Sequence, residues 1–211
     1  MSKPIIRDDL SIKLIHLTRG DNIEHVIENF NKILNEKKLI GSDKDIRGGY
    51  KCICFTEAPV SKLALVLSLA TEMRYAPLGI IVDKNWLYSK GGRPVIYQSN
   101  DEYKYLHEDI RYKHVRFEPT RDIDYTWERE WRIKADELIL DPTKTTFIIP
   151  TRKWYEIIME DWFGRIKRRS CSGSAVIGNK PSAFIILEDL GIPFENEYAK
   201  DDAIKLIGPI N

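Results

Sequence analysis

The sequence predicts an α+β fold with a split, mostly antiparallel sheet and flanking helices. Short apolar or alternating runs of strand length recur along the chain, helical spacing separates some of them, and no regular strand-helix-strand repeat links them. Composition agrees with a real core, since 43% of the 211 residues are hydrophobic and 31% charged. That length suits a single domain, read as 1–211 with a core over about 12–150 and a helix-strand extension over 151–211.

The elements follow in order. Ile12 to Thr18 reads as a strand whose alternation puts Leu14, His16 and Thr18 on one face. Gly20 breaks it, and Asp21 with Glu24 forms a capping box. A helix follows with apolar positions Ile23, Val26, Ile27, Phe30, Ile33 and Leu34, fading through Glu36-Lys37-Lys38 and stopping near Gly41. The polar loop Ser42 to Gly49 leads to a strand over Tyr50 to Phe55. Pro59 suits the first turn of a helix that buries Leu63, Val66, Leu67 and Ala70. Leu78 to Val82 is a buried-strand run, and the Gly91-Gly92 turn then joins it hairpin-fashion to a strand over Arg93 to Tyr97. Asp101 to Ile110 reads as weakly patterned helix and Val115 to Phe117 as a short strand. Asp124 to Lys134 is extended and carries the most distinctive motif. Thr146 to Ile149 is a strand, Thr151 caps a helix bearing Trp154, Ile157, Ile158, Trp162 and Phe163, and Ala183 to Leu187 closes the series.

A formal net charge of +1 supplies no global field for nucleic acid or membrane binding, so such binding needs a local patch. The longest apolar run, Leu63 to Ala70, is too short to span a bilayer, and Met1-Ser2-Lys3-Pro4-Ile5 lacks the apolar stretch of a signal peptide. Cys52, Cys54 and Cys171 are an odd set, read as free thiols of a cytoplasmic protein. No Cys-x-x-Cys pair occurs and the His residues are scattered, so no metal site is expected.

Three segments bring polar groups onto strands that otherwise read as core. The first is Leu14-Ile15-His16-Leu17-Thr18-Arg19, where His16 is either a hydrogen-bonded core residue or, with Thr18 and Arg19, part of a strand-end site. The second is the strand-to-helix junction Cys54-Phe55-Thr56-Glu57-Ala58-Pro59, where Thr56 serves as a cap or as a site residue. The third is Trp127-Glu128-Arg129-Glu130-Trp131-Arg132. In an extended segment Glu128, Glu130 and Arg132 share one face and the tryptophans the other, as a pocket wall or as a cross-strand salt-bridge ladder. Arg47 could reach a phosphate or stay solvated. The run Arg165-Ile166-Lys167-Arg168-Arg169 complements a helix C-terminus or contacts phosphate.

His16-Leu17-Thr18, Cys54-Phe55-Thr56-Glu57-Ala58-Pro59, Gly92-Arg93-Pro94-Val95-Ile96-Tyr97 and the Trp127–Arg132 motif together resemble the AbiGi-like proteins of abortive phage resistance. More distantly, they resemble the ADP-ribosyltransferase fold of DarT-type toxins. The resemblance spans roughly residues 12–134. It implies NAD as the substrate, with His16, Thr18, Arg19, Arg47 and Thr56 binding it. It further implies Glu130 as the catalytic carboxylate and Glu128 as its helper. A nucleic-acid or protein acceptor, and a toxin or antitoxin partner, follow from the same likeness. The Phe-Thr-Glu-Ala-Pro junction departs from the family's second element, and no nicotinamide-stacking tyrosine follows it. Two other readings stay open: a non-catalytic antitoxin-like or binding module on the same fold, and a metal-dependent nuclease.

Overall fold

The computed structural model describes residues 11–60, 76–171 and 183–191 together with Tyr198, Lys200 and Ala203, with only the backbone of 163–171. The helix expected from Pro59, the side chains of the basic run 165–169 and Cys171 therefore lie outside the described residues. The chain is α+β, and it divides into two compact units, each drawn from separated stretches of sequence.

The first unit takes in residues up to 16, 38–62 and 82–139. Its sheet runs in the order β1 (Lys13–Leu17), β3 (Cys52–Thr56), β8 (Glu130–Lys134), β5 (Arg93–Pro94). Every pairing in that order is antiparallel, as expected. β2 (Lys38–Ile40) pairs antiparallel with β9 (Glu137–Ile139), and β6 (Ile96–Gln98) pairs parallel with β7 (His114–Arg116). β2 and β9 escape sequence reading because each offers one inward residue, Leu39 and Leu138, too little to set a period.

Between β4 (Gly79–Asp83) and β5 the chain makes the short helix α2 (Lys84–Ser89), with Asp83 accepting the Trp86 N–H at 3.0 Å as its cap. The expected hairpin is thus absent: β5 pairs with β8, and Gly91-Gly92 ends a helix. Where Asp101 to Ile110 is expected as helix, the chain forms two 3-10 turns, Asp101–Tyr105 and Glu108–Lys113.

The second unit takes in 17–37, 63–81 and 140–211. α1 (Ile23–Glu36) buries Val26, Ile27, Phe30, Ile33 and Leu34, the stripe its spacing predicts. Its cap is Asn22, whose side chain accepts the His25 N–H at 2.8 Å, one residue later than the Asp21 box. Strand order here is β11 (Ala183–Ile186), β10 (Thr145–Ile149), β4, with β10 and β11 parallel. Phe147 is fully buried between Phe30 and Phe184, at ring-centroid distances of 6.0 and 5.7 Å. The helix α3 (Arg152–Cys171) buries Trp154 and Ile158. Its expected cap is not made by Thr151, whose buried hydroxyl has no partner among the described residues; Glu188 accepts the Arg152 N–H instead. No described helix is long and apolar enough to cross a membrane.

Candidate functional site

The register of β3 against β8 decides where the charged side chains go. Thr56 lies opposite Glu130 and Cys54 opposite Arg132, so these four share one face of the sheet. Ile15 lies opposite Thr56 and joins them, which sends His16 to the other face with Phe55. There the His16 ring packs 5.7 Å from the Phe55 ring, and its Nδ1–H donates to the Cys54 carbonyl at 2.8 Å. His16 and Glu130 are therefore not brought together.

Glu130 opens β8 and is held by the neighbour two residues on. Arg132 Nε and Nη2 donate to the two carboxylate oxygens at 2.7 and 3.1 Å, a bidentate pair with side chains only 5% and 11% exposed. Arg132 Nη1 donates to the carbonyls of Tyr112 and His114, each at 2.9 Å, so one guanidinium ties the carboxylate to the start of β7 and the turn before it. This is a same-strand ion pair, closer to the ladder than to an open pocket wall. Cys54 lies beside it, and burial, then the Glu130 charge, pushes that thiol far above its ordinary 9.0. Cys52, on the same face, is raised to about 11, again chiefly by burial. Both thiols are free.

Glu128 does not share the strand. Thr126–Glu128 is a 3-10 turn, and Arg129 follows at φ 46° in the left-handed region, which breaks the extended geometry expected from residue 124. The turn is tied down on several sides. Thr56 Oγ1 donates to the Glu128 carbonyl, Glu57 N–H to the Arg129 carbonyl at 3.2 Å, and Thr126 N–H to Asp124 Oδ1 at 2.8 Å. Trp131 is buried as expected, but Trp127 rides on the turn and is half exposed. Thr56 Oγ1 also accepts the Ala58 N–H at 3.1 Å, so its hydroxyl organises the junction in the local manner of a cap.

On the His16 face the junction carries a second ionic cluster that sequence reading missed. Glu57 is buried, pairs with Lys84 and accepts the Trp131 Nε1–H at 3.0 Å. Lys84 sits 27 residues along the chain, and nothing in the local pattern announces that meeting. Arg47 is pinned: it donates to the Asn100 carbonyl and Oδ1 at 2.9 and 2.7 Å and lies 4.1 Å over the Tyr103 ring. Thr18 and Arg19 belong to the second unit. Thr18 is buried, with its N–H on the Leu78 carbonyl at 2.7 Å, whereas Arg19 is exposed and its carbonyl accepts from Asn29 at 3.0 Å.

One residue joins the Glu130 corner without warning from the sequence. The Tyr97 hydroxyl accepts the Glu130 N–H at 2.9 Å, and burial, with smaller pushes from the Glu130 and Glu128 charges, raises it to about 12. The corner thus holds two carboxylate residues, a guanidinium, a threonine and a phenol that stays protonated. Among the described residues no three His, Cys, Asp or Glu side chains gather to hold a metal ion. Compared with known proteins, the chain matches no family model, no curated protein and no solved structure.

Proposed function

We propose that this chain is an ADP-ribosyltransferase-like defence or toxin protein of the cytoplasm that cleaves NAD and transfers ADP-ribose to a nucleic-acid or protein acceptor. The observation that carries the reading is Glu130, a largely buried carboxylate whose orientation is locked by Arg132 at the start of a central strand, beside Thr56 and Tyr97. Cleaving the nicotinamide glycosidic bond builds positive charge on the ribose, and a fixed carboxylate at that ribose stabilises it without reorganising. Glu128, on the turn just before the strand, orients or deprotonates the acceptor. The likeness to AbiGi-like and DarT-type proteins supports the same assignment, and the fold it implies is ADP-ribosyltransferase-like. His16 lies on the opposite sheet face and has no part in this site. The free thiols of Cys52 and Cys54 suit a reducing compartment.

The test is nicotinamide release from NAD by the pure protein. Glu130→Gln is expected to lower the rate by about 100-fold or more with an unchanged circular dichroism spectrum. An unchanged rate in the folded variant removes Glu130 from catalysis. A second reading, a non-catalytic binding module with a toxin or antitoxin partner, is favoured by the engagement of both Glu130 oxygens with Arg132. It predicts no heat on titrating NAD and a stable complex with the partner protein on pull-down.

A further inference from the structure

We infer that Tyr97 is the hydrogen-bond donor that meets the ribosyl hydroxyl at the Glu130 corner. This rests on the NAD reading above. A carboxylate can only accept hydrogen bonds, so a sugar hydroxyl that donates to Glu130 still has lone pairs that need a donor. Thr56 cannot supply it: its single O–H goes to the Glu128 carbonyl and its oxygen already accepts the Ala58 N–H. Arg132 spends its Nε and Nη2 on the carboxylate and Nη1 on two carbonyls. Cys54 is partly buried and a weak donor.

Tyr97 differs from all of these. Its oxygen is fixed by the Glu130 N–H, which places the phenol against the backbone of the carboxylate's own residue. Its own hydrogen goes to no acceptor among the described residues, and the group is only partly buried. The ligand class that satisfies acceptors and this donor together is a hydroxylated sugar ring, here the nicotinamide ribose. Tyr97 contacts the ligand and takes no proton from it.

The experiment is calorimetric titration of the full-length chain and of Tyr97→Phe with NAD and with an analogue lacking the 2′-hydroxyl of the nicotinamide ribose. Losing one hydrogen bond is expected to weaken NAD binding about tenfold in the variant and to leave binding of the analogue nearly unchanged. Because Tyr97→Phe also strips the acceptor from a backbone N–H, a second measurement uses the wild-type chain with ring-carbon-labelled tyrosine. The Tyr97 Cζ resonance is expected to move when ADP-ribose is added. Equal weakening of both ligands, unaltered NAD affinity in the variant, or an unmoved resonance overturns the assignment to Tyr97 while NAD turnover by the wild type keeps the wider reading. Absence of any NAD or ADP-ribose binding by the wild type overturns both.

Discussion

Arg132 shows how much one buried charge can organise. Its guanidinium satisfies the Glu130 carboxylate and the carbonyls of Tyr112 and His114. Replacing it with methionine keeps much of the volume but leaves Glu130 confined without its counter-charge. Arg132→Met is therefore expected to cost about 3–5 kcal/mol in urea unfolding, and adding Glu130→Leu to recover part of that loss. A double variant no more stable than Arg132→Met would show that the carboxylate is not the source of the cost. His16 makes the complementary point. Its strand position was legible, but its face relative to Glu130 depends on the Ile15–Thr56 register, a property of paired strands.

At the scale of the element, α1 was readable from its apolar stripe because the helical period selects a single set of inward positions. Its start shifted by one residue. Asp21 and Asn22 are both good caps, and the choice depends on which backbone takes the extended conformation, here Asn22 at φ −154°. Asn22→Ala is expected to cost about 1 kcal/mol in thermal or urea unfolding and Asp21→Ala far less. Equal costs would return the cap to the Asp21 box. The motif Trp127–Arg132 divides differently. Its alternation fits a strand, yet the left-handed Arg129 and the bonds from Thr56 and Glu57 hold the first half as a turn. Those partners lie about seventy positions earlier in the chain, so local periodicity could not register them.

For the whole molecule, stability toward acid should report on Glu118. Arg116 at 2.6 Å, then the Asn100 N–H at 3.2 Å, hold its carboxyl at about 2, below its ordinary 4.5. A depressed carboxyl stabilises the folded state fully above its unfolded value and loses that contribution as pH falls toward its folded value. Urea unfolding is expected to weaken between pH of about 4.5 and 2, and Glu118→Gln to flatten that window. An unchanged slope in the variant would show that Glu118 carries none of it. Both compact units draw on separated stretches of the chain, so a reading in chain order could not divide them.

By itself the sequence determined the α+β class, the buried stripe of α1, the strands around Ile15, Ile53, Ile81 and Phe147, and the candidacy of Glu130. These follow from period and burial, which each segment carries within itself. Only the tertiary structure decided that Glu130 pairs with Arg132, that Thr56 spends its hydroxyl on a turn, that His16 faces away and that Tyr97 stands at the corner. Each of these depends on strand register and on contacts between residues far apart in the chain, and side-chain period is blind to both.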